Sequence, residues 1–236
     1  MNIGLLIAGG VGQRMGQEIP KQFININDKP VIIYTLEAFQ NHPDIDAIAV
    51  VCLDGWHHVL DVYAKQFNIT KLKYIVSGGE NGQGSIRNGV YELEKHFRPD
   101  DIVLIHDAIR PMVSEEIISD CIRVTKEKGN AITVIPCAEA MLVSESQTDS
   151  TEIYNRDHLK RTQTPQAFYI KDICDLHREA IEKGILNSVA SCTLMIELGK
   201  EVYFSKGSEK NVKLTTVEDL DIFKALLTLK RSEWLR

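Results

Sequence analysis

Five short runs in this chain are apolar almost without a break: Leu5–Ala8, Ala47–Cys52, Tyr74–Val76, Ile102–Ile105 and Ala131–Pro136. A strand with one wet face alternates apolar and polar residues, so an unbroken run reads as a strand covered on both sides. Between the runs lie stretches with helical spacing. They are Pro30–Phe39 with Pro30 near its start, His57–Phe67, about Ser85 to His96, and a helix opened by Ser114 that runs to about Lys128. Strand and helix in alternation predict an α/β fold with a mostly parallel sheet covered on both faces. Ligands of such sheets gather at the carboxyl ends of the strands. The 236 residues suffice for one large α/β domain, 1–236, with a substantial core.

The first run empties into Gly9-Gly10-Val11-Gly12-Gln13-Arg14-Met15-Gly16, followed by Pro20-Lys21-Gln22. Glycines let a ligand approach backbone N–H groups, although glycines alone also serve a tight turn between strand and helix. Arg14 and Lys21 within the same loop shift the reading toward phosphate, and toward a nucleoside triphosphate. The loop lacks the Gly-Lys-Ser/Thr of a Walker A motif. Gly10, Gly12 and Gly16 are spaced one residue too wide for a dinucleotide fingerprint.

Two further loops belong to the same sheet edge: Ser77–Ser85, again rich in glycine, and His106-Asp107-Ala108-Ile109-Arg110-Pro111. The segment Ser205–Lys213 returns there after an expected strand at Glu201–Phe204. A carboxylate, Asp107, amid Arg14, Lys21, Arg110 and Lys213 is what a metal–polyphosphate site requires, with a turn cap as the competing role for Asp107. Helical patterns recur at Lys171–Lys183 and Ala190–Leu198. Thr215 and Glu218 have the spacing of a capping box opening a last helix to about Leu229. Residues 138–160 break the rhythm. They read as two strands around an exposed tip that could reach a neighbouring subunit, and a plain surface loop fits their composition nearly as well.

A net charge of −6 and a pI near 5.7 argue against a general nucleic-acid surface, while leaving room for small anions where cations cluster. No run reaches membrane-spanning length, and the first residues lack a signal-peptide pattern. Cys52, Cys121, Cys137, Cys174 and Cys192 form no CxxC pair and sit among apolar residues, as reduced thiols of a cytoplasmic protein would.

Five stretches, in this order, resemble one family: Ala8–Gly16, Pro20–Phe23, His106–Pro111, Thr162–Phe168 and Asn211–Thr215. They are similar to the CTP-dependent sugar-alcohol-phosphate cytidylyltransferases, a group that includes enzymes for 2-C-methyl-D-erythritol 4-phosphate and for D-ribitol 5-phosphate. The resemblance covers about residues 1 to 230. It implies a Rossmann-like nucleotidyltransferase three-layer sandwich with a protruding β-arm, and a homodimer joined through that arm. It implies CTP and a polyol phosphate as substrates, Mg²⁺ as cofactor, and diphosphate and a CDP-polyol as products. By motif match, Arg14, Lys21 and Lys213 would act on the triphosphate and transition state, and Asp107 would hold Mg²⁺. Ala8, Gly9, Gly10, Gly12, Gly79 and Ser85 would line the nucleotide pocket. Arg110, Arg156, Thr164 and Ser188 would address the acceptor.

The chain departs from the family pattern twice. Gly82 stands where an Arg is usual in the second glycine loop. Asn187-Ser188-Val189-Ala190-Ser191 stands where methylerythritol-phosphate enzymes carry Thr-Asp before Ala-Ser. The second change removes a carboxylate at the acceptor and turns the expectation toward ribitol 5-phosphate or a related polyol phosphate of teichoic-acid or capsule synthesis. The alternative is that the change is absorbed and the substrate is methylerythritol phosphate, for isoprenoid synthesis. Two rivals come from other classes. Tyr91 and Lys95 have the spacing of a short-chain dehydrogenase pair, and a nucleotide-binding sensor without turnover would need fewer of these cations.

Overall fold

The computed structural model describes residues 1–10, 19–146 and 148–233. The apolar runs form strands β1 (Asn2–Ala8), β4 (Ala47–Cys52), β5 (Leu72–Ser77), β6 (Ile102–Asp107) and β7 (Asn130–Pro136). A small hairpin, β2 (Asn25–Ile26) and β3 (Lys29–Pro30), precedes β4. It turns through Asn27 and Asp28, both at positive φ, a backbone that such residues tolerate in tight hairpins. The main sheet is completed by β10 (Lys160–Tyr169) and β11 (Phe204–Lys206), in the order β11-β7-β10-β6-β1-β4-β5. Neighbours pair in parallel except at β10, which runs antiparallel to both β6 and β7. The strand expected at Glu201–Phe204 is instead β11, which pairs with β7 from Phe204 to Lys206.

Helices α1 (Val31–Asn41), α2 (His57–Gln66) and α4 (Glu115–Lys128) cover one face, and α3 (Gly82–Glu94), α5 (Ile170–Glu182) and α6 (Ser191–Glu197) the other. The period-two rule explains the division. Leu6, Ile48, Val50 and Leu104 pack toward the first set, while Leu5, Ala49, Val51 and Val103 pack toward the second. Every residue of β4 is buried, as a centrally placed strand requires. Ser114 caps α4 by accepting from Ile117 N, and Gly129 closes that helix in the left-handed conformation at φ 96°.

The last helix, α7 (Val217–Glu233), packs through Leu220 and Phe223 onto Ile26, Val31 and Ile109. Its capping box lies one residue later than expected. Thr216 Oγ1 accepts from Asp219 N, and Asp219 accepts from the N–H groups of Thr215 and Thr216 and from the Thr215 hydroxyl. Within 138–160, β8 (Met141–Val143) and β9 (Glu152–Tyr154) form a separate antiparallel hairpin, exposed along its length.

The register of the sheet positions the site. Ala8 pairs with Cys52, Cys52 with Ser77, and Ile7 with Asp107, so β1, β4, β5 and β6 all end at one level. The antiparallel β10 enters the same edge, with Gln166 opposite Ile105. All five cysteines are buried and unpaired, and burial pushes Cys52 up to about 11 and Cys121 and Cys174 up to about 12.

Gly89 shows how closely α3 lies on this sheet. A Cβ there would sit 2.7 Å from Val51 Cγ2 and 2.8 Å from Leu5 Cδ2, both fully buried. Gly89→Ala is therefore expected to destabilise the protein by up to about 2 kcal/mol net, an overpacking cost of about 1–3 kcal/mol offset by the roughly 1 kcal/mol that alanine gains in helix propensity. The urea unfolding midpoint measures the sign.

Candidate active site

The first glycine loop leaves β1 at Ala8 and is held from below by a side chain. Gln22, buried in the 3-10 turn Lys21–Phe23, donates through Nε2 to Ala8 O at 2.7 Å and to Gly10 O at 3.1 Å. This fixes the loop's carbonyls toward Gln22. Lys21 opens the same turn. Gly12 and Arg14 lie outside the described residues.

The second glycine loop packs directly on the first. Ser85 Oγ accepts from Gly79 N at 3.0 Å, and a Cβ on Gly9 would meet Ser85 Oγ at 3.2 Å. Gly79 admits no side chain, since its Cβ would lie 2.4 Å from the Gly84 carbonyl carbon. Helix α3 starts at Gly82, three residues earlier than the spacing suggests, because Asn81 Oδ1 caps it by accepting from Gly84 N at 2.8 Å. Gly9, Gly79 and Ser85 are thus brought together, with Gly10 beside them in open space.

Asp107, at the end of β6, is the centre of a second cluster. Its Oδ2 accepts from Arg110 Nε at 3.0 Å, and Lys213 Nζ lies 3.2 Å from each carboxylate oxygen. Burial alone would raise the Asp107 carboxyl, but Lys213 and Arg110 outweigh it and hold the group below its ordinary 3.8. The Asp107 side chain stays 22% exposed, so the carboxylate remains reachable.

The backbone beneath this cluster is held by a chain of polar groups. Asp107 N donates to Thr164 Oγ1 at 3.0 Å, and Thr164 Oγ1 lies 3.0 Å from His106 Nδ1. His106 Nε2 lies 3.2 Å from Arg110 O. A carbonyl can only accept, so Nε2 carries the proton and Nδ1 accepts from the Thr164 hydroxyl. Complete burial pushes His106 down to about 4, which keeps this neutral form at pH 7. Asn211, fully buried, donates through Nδ2 to Thr164 O at 2.9 Å, while its main-chain carbonyl accepts from Arg110 Nη1 at 2.8 Å. Gln163 ties the bulge of β10 to Ser208 through a pair of bonds of 2.9 and 3.2 Å.

Asp107, Arg110, Thr164 and Lys213 are therefore assembled as expected. Two residues are placed elsewhere. Ser188 is buried, and its hydroxyl faces Thr193 Oγ1 at 2.8 Å and Glu197 Oε1 at 3.2 Å, inside the turn before α6. Arg156 lies at the base of the arm, bonded to Ala138 O. The dehydrogenase pair is not assembled, because the Tyr91 hydroxyl is buried and Lys95 pairs with Glu92. Gln22, His106, Gln163 and Asn211 all lay within the quoted motifs with no role attached. His106 carries a sequence signal, as a polar residue at the end of the apolar run Ile102–Ile105, and the other three carry none.

Glycine-lined backbone and a carboxylate between two cations, all at the carboxyl edge of a parallel sheet, define the nucleotidyltransferase class of three-layer α/β proteins. The fold matches 4-diphosphocytidyl-2C-methyl-D-erythritol synthase from Anaerococcus prevotii, with a TM-score of 0.81 over 96% of each chain at 23% identity. The family model for 2-C-methyl-D-erythritol 4-phosphate cytidylyltransferase (IspD) matches residues 3–229, and the chain belongs to this family. It is 45% identical to a ribitol-5-phosphate cytidylyltransferase of Lacticaseibacillus paracasei over 98% of this chain and 99% of that one. It is 35% identical to a 2-C-methyl-D-erythritol 4-phosphate cytidylyltransferase of Clostridium botulinum over 96% and 97% of the two chains.

Gln22→Leu is expected to cost about 1–3 kcal/mol, the range for leaving buried carbonyls without their donor, and thermal unfolding measures it. Asp107 has a folded pKa below its unfolded one. Its pairing therefore stabilises above about pH 3.8 and is lost as pH falls through the folded value. Asp107→Asn should separate from wild type in urea midpoint at pH 6, and the difference should shrink as pH falls below 3.8.

Proposed function

We propose that this chain transfers CMP from CTP to ribitol 5-phosphate, releasing diphosphate and forming CDP-ribitol. The observation that carries the choice of acceptor is the 45% end-to-end identity to the L. paracasei ribitol-5-phosphate enzyme, against 35% to the C. botulinum methylerythritol enzyme. The sequence at 187–191 agrees with it, since no carboxylate stands there to address the methylerythritol acceptor. Methylerythritol 4-phosphate is the second reading, favoured by the name of the family model.

The chemistry asks little of a base. An oxygen of the acceptor's phosphate monoester attacks the α-phosphorus of CTP, the bond from that phosphorus to the β-bridging oxygen breaks, and diphosphate leaves with the electron pair. The difficulty lies in bringing two polyanions together and carrying charge on the α-phosphate. Fixed cations address both problems. In this reading, Gly9, Gly10, Gly12, Gly79 and Ser85 receive the nucleotide, and Arg14 acts on the triphosphate. Lys21 and Lys213 neutralise the triphosphate. Arg110 and Thr164 face the acceptor's phosphate.

Asp107 suits Mg²⁺, which is commonly held by one or two carboxylates with substrate phosphates and water supplying the rest. Asp107 is a partly exposed single carboxylate of that kind, and the described residues hold no group of three or more acidic, histidine or cysteine ligands. Bound there, the ion would offset phosphate charge. Lys213 and Arg110 keep Asp107 ionised and aimed at that place. Arg156 and the exposed Leu142 and Ile153 of the arm would meet a second subunit in a homodimer, Arg156 reaching the partner's acceptor. A CDP-polyol made in the cytoplasm would serve a surface polymer such as teichoic acid or capsule.

Diphosphate release with CTP and Mg²⁺ tests the reading. Ribitol 5-phosphate is expected to be turned over in preference to methylerythritol phosphate and glycerol 3-phosphate. A preference for methylerythritol phosphate would reverse the choice of acceptor. Lys213→Ala should lower kcat by about 10²–10³-fold, as removal of a fixed transition-state donor does, and unchanged turnover would take Lys213 out of the mechanism.

A further inference from the structure

Lys213 stands on the segment between β11 and α7, which is neither strand nor helix, so its path is fixed by other contacts. Ahead of Lys213 the tie is a buried side chain. Gln163 donates through Nε2 to Ser208 O at 2.9 Å, and its Oε1 accepts from Ser208 N at 3.2 Å and from Asn211 Nδ2 at 3.3 Å. An amide can donate and accept at once, so Gln163 pairs with both main-chain groups of Ser208 as a neighbouring strand would. Behind Lys213, Leu214 N donates to Ile109 O at 2.9 Å. The lysine lies between these ties, with Nζ 3.2 Å from the Asp107 carboxylate.

The approach of the segment to Gln163 is close enough to exclude a side chain. A Cβ on Gly207 would lie 2.6 Å from Gln163 Oε1 and 2.9 Å from Val134 O, the carbonyl to which Gly207 N itself donates. Gly207 is not at positive φ, so proximity rather than backbone conformation requires the glycine. Gln163 is held in turn by the bulge of β10, where the register shifts between Thr162 and Gln166. Thr164 accepts from Asp107 N at its hydroxyl and from Asn211 Nδ2 at its carbonyl, and Pro165 O accepts from the buried Thr133 hydroxyl at 2.6 Å. The bulge therefore faces Asp107 on one side and grips the segment of Lys213 on the other.

We propose that Gln163 is the positioning residue of Lys213. This rests on the part given to Lys213 in the function proposed above. Asp107 meets the ammonium end of the lysine, and Gln163 sets the backbone from which that side chain reaches. Gln163 itself is buried beneath the site and touches no substrate. It acts by keeping the segment in the one register that brings Lys213 to Asp107.

Gln163→Met keeps the length of the side chain and removes all three bonds. In diphosphate release from CTP and ribitol 5-phosphate it should lower kcat about tenfold, the order expected when two or three hydrogen bonds holding a segment are lost. Gln163→Glu keeps both acceptor contacts and loses only the donor to Ser208 O, so it should lower kcat by less, and it carries the same comparison if Gln163→Met does not fold. In the Lys213→Ala background, Gln163→Met should cost less than about twofold more, because two residues that act through one group do not add. In amide hydrogen exchange without substrate, Ser208 and Asn211 should exchange faster in Gln163→Met than in wild type. A general structural role, or one exerted through Arg110 or Thr164, would lower kcat by the same factor in both backgrounds. Equal factors, an unchanged kcat, or unchanged exchange at Ser208 and Asn211 each overturns the proposal. Failure of the functional reading looks different, because wild type itself would then turn over no polyol phosphate, and the exchange measurement would still decide whether Gln163 holds the segment of Lys213.

Discussion

The carboxylate of Asp107 joins two distant parts of the chain, and one half of the candidate site depends on it. It ends β6, faces Arg110 one turn later, and draws in Lys213 from 106 residues away. Without that anion the two cations would repel each other at a partly buried edge. With it they stand together at one place, where an incoming polyphosphate meets a concentrated positive field. The same contact keeps Asp107 ionised, which a carboxylate must be to hold a divalent ion.

What supports the carboxylate is a set of neutral groups, and their neutrality matters. His106 is buried without charge, so it can accept from the Thr164 hydroxyl at one nitrogen and donate to Arg110 O at the other. Thr164 is then left to accept from Asp107 N. Asn211 binds the same strand to the segment leading to Lys213. The bonds from Asp107 N to Thr164 Oγ1 and from Asn211 Nδ2 to Thr164 O each join main chain to side chain at the antiparallel β10. That strand brings Thr164 in beside Asp107, where a parallel crossover would have placed a helix start.

Most of the scaffold was legible because burial on both faces leaves a plain signature. β4 reads as six apolar residues and is buried at all six. The second glycine loop was legible for a related reason, since Gly79 tolerates no side chain at all. Less was legible where two local solutions compete. Thr215 with Glu218 and Thr216 with Asp219 are equally good capping boxes, and the chain uses the second because Asp219 also takes both groups of Thr215. Nothing local foretold that β10 runs antiparallel with a bulge at 163–165, since its pairing is set by partners 24 to 67 residues away. Ser188 misled for the same reason. Its position in the chain suggested a ligand, but its hydroxyl was claimed by Thr193 and Glu197.

The two glycines at 79 and 82 separate what the fold demands from what the ligand demands. At Gly79 a Cβ would collide with the backbone at Gly84, so the fold alone fixes the residue. At Gly82 a Cβ would meet nothing within 4 Å, and the backbone there is not left-handed. Glycine at a first helical turn offers no propensity advantage over residues with a side chain. Packing therefore leaves position 82 open to a large cation, and its absence from this chain is not enforced by the scaffold. In the function proposed above, the charge on the nucleotide would be met from the remaining cations, with more of the demand on Lys21 and on Lys213, whose position Asp107 already fixes.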